Sequence, residues 1–417
     1  MLALAFGSRA EIRGSVSSRR LDWEIGENRL ARAEGEARGD RRFLDLAVSN
    51  PTVVGLPDMG EAIRRAFAAA SMSTYVPSAR GSEGARAAIG GDYREKGISV
   101  APDNLLLTAS TSESYSFVFK VLADPGDAVL VPAPSYPLFD YLARLDGVRP
   151  VPYRLSYGVD RRWRVDLSSV DEALARVDAE GGRVRAIVIV SPNNPTGSVL
   201  TTEDAAALDQ RCASRAAALI ADEVFADFVR RPAPFHVPCL TAHPTESLTF
   251  SLGGLSKSCG LPQLKLGWIS VGGPARGART ALDRLELVAD TYLSVNAATE
   301  TALPDLLRGG ASFRGALRPR LAINEATLAR LVGPTSAVSV LPSEGGWSAI
   351  LRVPAVLSDE DWVLALLERD RVLVQPGFFF DLDGGTFLVA SLLPDEETFA
   401  RGMERVLRRV EETAAGP

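Results

Sequence analysis

Two lysines stand eight residues apart in the stretch Ser251-Leu-Gly-Gly-Leu-Ser-Lys257-Ser-Cys-Gly-Leu-Pro-Gln-Leu-Lys265-Leu-Gly-Trp268. Lys257 lies in a Gly/Ser-rich break after the apolar run Leu248–Leu252, and Lys265 opens a second apolar run, Leu266–Val271. A strand, a tight loop and a second strand would bring both ammonium groups to one strand end, where open α/β sheets bind ligands. Two amines so placed suit a phosphorylated aldehyde: one forms a Schiff base and the other holds the phosphate.

Four further clusters carry groups of the same kind. In Thr108-Ala-Ser110-Thr111-Ser112-Glu113 a capping box starts a helix through Val121, and three hydroxyls at a helix N-terminus are a ready phosphate site. Prolines in Pro132-Ala-Pro-Ser-Tyr136-Pro137 hold an aromatic ring that could stack on a planar ligand. Ser191-Pro-Asn193-Asn194-Pro-Thr-Gly197 is a stiff polar loop with two amides able to donate to a ligand oxygen. Asp222-Glu223-Val-Phe225 sets carboxylates after the apolar run Ala216–Ala221, where one needs a cationic partner. A cap, a packed tyrosine, a turn, an ion pair or a solvated lysine would each explain one cluster. Only their convergence at the ends of different strands makes a site.

The elements that must position these residues follow from the hydrophobic pattern. Strands are expected at Leu105–Thr108, Ala128–Val131, Val148–Tyr153, Val184–Val190, Ala216–Ala221, Ser247–Leu252 and Leu266–Val271, alternating with helical segments as in a parallel sheet. Before them come a loosely ordered start of about 17 residues, a polar helix over Leu21–Ala37, a short strand from Asp45 that ends in a turn by Thr52, and helices over Met59–Ala70 and Ser82–Lys96. After them come helices over Ala275–Asp290 and Ser312–Leu331, strands at Trp347–Val353, Val372–Gln375 and Phe387–Leu392, and a final helix over Glu396–Glu412. The expected fold class is α/β, a large domain with a mostly parallel sheet plus a smaller α+β domain. The expected divisions are 1–50 (an arm), 51–295 (the large domain) and 296–417 (the C-terminal small domain).

Composition agrees with an ordinary globular protein. The chain has 417 residues, 46% hydrophobic and 24% charged, with a formal charge of -6, so nucleic acid and anionic membranes are not expected partners. No apolar run reaches the roughly 18–20 residues of a membrane span, and a cytoplasmic location is expected. Cys212, Cys239 and Cys259 show no metal-ligand spacing and only His236 and His243 could assist them, so no metal site is expected.

In this order the motifs resemble the class I/II aminotransferases of fold type I, the pyridoxal-phosphate enzymes, over roughly residues 45 to 410. The most specific elements are Ser191–Gly197, Asp222–Phe225 and Ser256-Lys257 with Gly267-Trp268, supported by Tyr75-x-Pro-x-x-Arg-Gly81 and Pro134–Pro137. The resemblance implies pyridoxal 5'-phosphate as cofactor, a seven-stranded sheet, 1–50 also holding part of the small domain, and a homodimer with shared sites. It makes Lys257 the Schiff-base lysine, Asp222 the partner of the pyridine nitrogen, Asn194 the donor to the phenolic oxygen, and Tyr136 the stacking ring. Ser110, Thr111, Ser112 and Lys265 would hold the phosphate, with Tyr75 reaching it from the neighbouring subunit. Asn50 and Arg352 are the expected contacts of a small amine or amino-acid substrate.

Four departures mark a divergent branch. Gly254 stands where a phosphate-binding serine is common, and Lys265 where an arginine is usual. Phe225 replaces a tyrosine that normally assists Asn194. No arginine occurs between Arg371 and Arg401, although the small-domain strand of such enzymes carries one for the substrate's carboxylate. The reaction expected first is transamination between an amino compound and a keto acid. A lyase, synthase or decarboxylase would use the same cofactor-holding residues, and a cofactor-binding sensor without turnover is the non-enzymatic alternative.

Overall fold

The computed structural model describes residues 28–57, 59–70 and 73–415, with Ser18 and Arg20 besides. The expected loose start and the first part of the expected 21–37 helix lie outside these residues. The helix that is described runs Arg29–Arg38, capped by Asn28, whose side chain accepts from the Ala31 amide.

In chain order the strands are β1 (Leu44–Asp45), β2 (Leu105–Thr108), β3 (Ala128–Ala133), β4 (Arg149–Tyr157), β5 (Trp163–Val165), β6 (Val184–Val190), β7 (Ala218–Asp222), β8 (Thr249–Gly254), β9 (Gly267–Gly272), β10 (Ser339–Leu341), β11 (Ser348–Val353), β12 (Val372–Leu373), β13 (Gln375–Pro376) and β14 (Thr386–Ser391). Eight form one sheet in the order β2-β9-β8-β7-β6-β3-β4-β5. All seven expected strands are present, shifted by a few residues at their ends. The eighth, β5, has only three residues and pairs antiparallel with β4, too short to leave a periodic signal.

The central pairs β8-β7-β6-β3-β4 are parallel, while β9 runs antiparallel to both β2 and β8. The C-terminal ends of β2, β3, β6, β7 and β8, and the start of β9, therefore share one sheet edge. Alternate residues feed opposite faces. Leu130, Ile187 and Leu219 join one apolar layer, and Val129, Val188, Ile220, Phe250 and Ile269 the other. With both faces covered, the strands read as nearly unbroken apolar runs, as parallel strands do.

A second sheet, β10-β11-β14-β13, is antiparallel, and β1 pairs in parallel with β12. Trp362, Phe399 and Met403 lie at the centre of the apolar cluster around it. Between the sheets runs a single helix, Ala297–Leu331, that contains Pro304 and Pro319. Sequence reading places a helix over Ser312–Leu331, through Pro319; the structure extends it back to Ala297 through Pro304, although proline removes a backbone donor and normally ends a helix. It packs against the Gly60–Ala69, Glu83–Glu95 and Glu396–Ala414 helices.

The two sheets meet where the Ser191–Gly197 loop presses on the turn before β11. Gly197 has φ +67, and a methyl there would collide with the Gly345 carbonyl and come within 2.6 Å of Ser343 Cβ. Gly345 in turn leaves no room for a side chain, because a Cβ would stand 2.7 Å from Pro192 Cγ. Buried Arg230 ties the same turn down by donating to the Gly346 carbonyl and, at 2.6 Å, to Ser343 Oγ. Gly197→Ala should therefore destabilise the protein by about 1–3 kcal/mol or more, since overpacking adds to a left-handed backbone. Denaturant unfolding checks the stability, and cofactor uptake should fall with it because Asn194 lies in the same loop.

Candidate active site

The shared sheet edge gathers all five expected clusters. Ser110–Ser112 follow β2, Tyr136 follows β3, Asn194 follows β6, Asp222 ends β7, Lys257 follows β8 and Lys265 precedes β9. Register sets Asp222 beside Val190 on one neighbour and Leu252 on the other. The chain then turns through a short helix, Leu255–Ser258, that presents Lys257. Arg314 of the long helix closes this turn from behind, donating to the Ser258 carbonyl at 3.2 Å.

Asp222 and Lys257 are the electrostatic centre. Asp222 Oδ1 accepts from the Val224 amide at 3.1 Å and Oδ2 from the Tyr115 hydroxyl at 3.2 Å. Burial nevertheless pushes its pKa up to about 6, against the pull of these donors and of Lys257. Burial pushes the Lys257 amine down to about 8, with Asp222 opposing. Lys257 Nζ stands 5.0 Å from the Trp347 ring centroid and 5.7 Å from that of Phe225, and its one long hydrogen bond, 3.5 Å, goes to the Ser49 carbonyl. Aromatic faces attract an ammonium, but they hydrate it far less than water does.

The loop amides divide their work. Asn193 is consumed internally: its Oδ1 accepts from Thr196 N and Oγ1 at 3.2 and 2.9 Å, and its Nδ2 donates to Ser135 Oγ at 3.3 Å. That last bond joins the loop to the residue before Tyr136. Asn194 instead accepts from Ser348 Oγ at 3.1 Å through Oδ1, which turns its NH2 away from β11. The half-buried Tyr136 ring lies 6.4 Å from Phe380.

At the Thr111–Leu122 helix the expected capping box is present, Ser110 Oγ accepting from the Glu113 amide at 3.1 Å. Glu113 turns back to the Ala109 amide at 2.6 Å and to Ser294 at 2.7 Å, leaving the amides of the first turn for an anion. A Cβ on Gly254 would stand 3.5 Å from Thr111 Oγ1 and 3.2 Å from the Leu266 carbonyl. The β8–β9 turn therefore closes directly on this helix N-terminus. Lys265 is exposed in a left-handed turn at φ 49.

Three expected residues stand differently. Asn50 lies next to Ser49 and hence near Lys257, but its Oδ1 is committed to Thr52 N and Oγ1 at 3.0 and 2.8 Å. Tyr75 is 68% exposed and borders a groove with Val76, Leu293 and Ser294 that includes none of Lys257, Asp222 or Asn194. Arg352 is not brought to Lys257. It lies four residues beyond Ser348 on β11, about 13 Å along the strand, where it stacks 5.3 Å from the Phe387 centroid in a groove with Arg154 and Arg176. Conversely, Tyr115, Trp347 and Ser348 belong to the site and escape sequence reading. Tyr115 reads as helix interior, and the other two reach the edge only through tertiary packing of the Gly345-Gly346 turn.

A helix N-terminus, a half-buried carboxylate and a half-buried amine on one edge of a doubly wound sheet define a fold type I cofactor site. Residues 41–406 match the family aminotransferase class I and II, and the chain belongs to that family, whose members use pyridoxal 5'-phosphate. It is similar to the glutamate-pyruvate aminotransferase AlaA of Haemophilus influenzae, 28% identical over 82% of this chain and 83% of that protein. It is also similar to an alanine aminotransferase of Mycobacterium tuberculosis, 26% identical over 95% and 89%. Among solved structures, an Escherichia coli aminotransferase superposes with a TM-score of 0.77 at 25% identity over 92% and 95% of the two chains. The residues present fit the cofactor: a carboxylate short of positive charge for a ring nitrogen, a poorly hydrated amine for an aldehyde, and a capped helix end for a phosphate.

The two charges are costly while the site holds nothing else. A carboxyl whose folded pKa is about 6, above the unfolded value of about 3.9, lowers stability fully above pH 6 and not at all below about pH 4. Asp222→Asn should therefore stabilise the cofactor-free protein at pH 7 by an amount of order 1–3 kcal/mol. That gain should fade as pH drops from 6 to 4, as urea unfolding at a series of pH values would record.

Proposed function

We propose that Lys257 holds the cofactor's aldehyde covalently and that Asp222 faces its ring nitrogen. Asn194 donates to the phenolic oxygen, Tyr136 stacks on the ring, and Ser110, Thr111, Ser112 and Lys265 surround the phosphate. The observation that carries this reading is the half-buried pair Asp222 and Lys257 at the ends of adjacent strands, each pushed toward its neutral form by desolvation. Residues 51–295 then form the cofactor-binding unit, since the eight-stranded sheet lies wholly within them, and 296–417 with the N-terminal arm form the smaller one.

When bound, pyridoxal phosphate supplies an electron sink that acidifies the carbon bearing the substrate's amino group. Lys257 Nζ, with a pKa near 8, is the base that takes the proton from that carbon. A base that titrates close to the working pH is suited to giving a proton back as well as taking it. Phe225 and Trp347 keep water from Nζ. Asp222, ionised and held by two donors, keeps a positive charge on the ring nitrogen favourable.

The partner is a small amine, and the assembly a homodimer in which Tyr75 of one copy approaches the other's phosphate site. Tyr75, Val76, Leu287, Tyr292 and Leu293 are all large apolar residues more than 40% exposed, which supports a covered face. A cytoplasmic location suits three free, buried cysteines.

The relatives are named for alanine and for glutamate with pyruvate, which makes these the first compounds to test. In this chain β14, from Thr386 to Ala390, is buried and apolar, which favours amines that lack an α-carboxylate. The experiment offers alanine, glutamate and their decarboxylated counterparts to the aldehyde-loaded enzyme, and keto acids to the aminated form. Transfer of the amino group in both half-reactions, with the carboxylate-free amines as competent donors, is expected. Release of ammonia or carbon dioxide without a second substrate would contradict the reading.

A further inference from the structure

Tyr115 occupies the fifth position of the Thr111–Leu122 helix and is fully buried. Its ring packs edge-on against Phe139, with centroids 5.4 Å apart and planes at 82°, and lies 5.8 Å from Phe119. Phenylalanine would satisfy that packing equally well, as it does at Phe117 and Phe119. Burying the additional hydroxyl is unfavourable unless it is bonded, and its partner is Asp222 Oδ2 at 3.2 Å. Burial and the nearby Asp222 hold the phenol's pKa well above its ordinary value, so the hydroxyl keeps its proton and donates.

The other contacts of Asp222 leave this bond a specific task. Oδ1 is held by the Val224 amide at 3.1 Å, a backbone donor that any residue could supply. The neighbouring Glu223 faces elsewhere, its Oε1 accepting from the Leu240 amide at 2.7 Å and the Ser251 hydroxyl at 2.9 Å. Tyr115 is therefore the only side chain among the described residues that hydrogen-bonds to Asp222. A carboxylate oxygen can accept two bonds, so Oδ2 can hold Tyr115 and still accept from a ligand. One bond to each oxygen fixes the rotation of the carboxylate and favours its ionised form, which a hydrogen bond to the charged state always does.

We propose that Tyr115 is a positioning residue for the cofactor: its buried hydroxyl holds Asp222 in the orientation and charge state that a ring N–H donor requires. This rests on the reading that Asp222 faces the ring nitrogen, and the test separates the two. Cofactor-free wild type, Tyr115→Phe, Asp222→Asn and the double variant are each titrated with pyridoxal phosphate, and the dissociation constant is read from absorbance. Phe119→Leu, which disturbs the same ring without touching Asp222, serves as the packing control.

Tyr115→Phe should weaken binding about 10-fold, the loss expected for one hydrogen bond to a charged acceptor. Phe119→Leu should stay within about twofold, and the double variant should bind no more weakly than Asp222→Asn, because the hydroxyl acts only through that carboxylate. The pH dependence of the bound cofactor's absorbance should shift in Tyr115→Phe and not in Phe119→Leu. Weak binding by Asp222→Asn with wild-type binding by Tyr115→Phe, or fully additive losses in the double variant, would overturn the role of Tyr115 and leave that of Asp222 standing. Wild-type binding by Asp222→Asn would overturn both.

Discussion

A carboxylate and an amine, both half-buried and poorly hydrated at the ends of two neighbouring strands, are the constraint on which the rest of this structure depends. Neither charge is comfortable there: burial moves Asp222 and Lys257 each toward neutrality, and their mutual attraction does not cancel that cost. A fold keeps such a pair only if the surrounding core is large enough to carry it. The two-sided sheet supplies that core, with apolar layers on both faces of β3, β6 and β7. The strain is then available to a ligand that brings the missing positive charge to Asp222 and a bond to Lys257.

The smaller sheet completes the site rather than simply capping it. Through the Gly197–Gly345 contact it delivers Trp347 to Lys257 and Ser348 to Asn194, with Arg230 holding the turn. The first sets how dry the amine is, and the second sets which way the amide points. Phe225 belongs to the same surroundings, because with Trp347 it sets rings around Nζ. On the smaller sheet β14 is a core strand, buried from Thr386 to Ala390.

The parts legible in the sequence are those whose signal is local. Lys257, Asp222 and Asn194 each follow an apolar strand, so a polar residue there declares itself, and the strand ends are right within a few residues. Three things depended on tertiary packing and left no local trace. Tyr115 reads as one more aromatic residue in a helix. Trp347 and Ser348 open a strand that is far in sequence from every other site residue. The first half of the Ala297–Leu331 helix is missed, since Pro304 opposes it locally and packing against neighbouring helices overrides that. Arg352, a cation on a neighbouring strand in the sequence pattern, lies about 13 Å from Ser348 along β11.

The central claim is that the half-buried amine, and not the exposed one eight residues on, engages the cofactor. Borohydride reduction of the cofactor-loaded enzyme, followed by digestion and mass analysis, tests it directly. The account predicts a pyridoxyl phosphate adduct on the peptide carrying Lys257 and none on Lys265. An adduct on Lys265, or no adduct on either lysine, would contradict it.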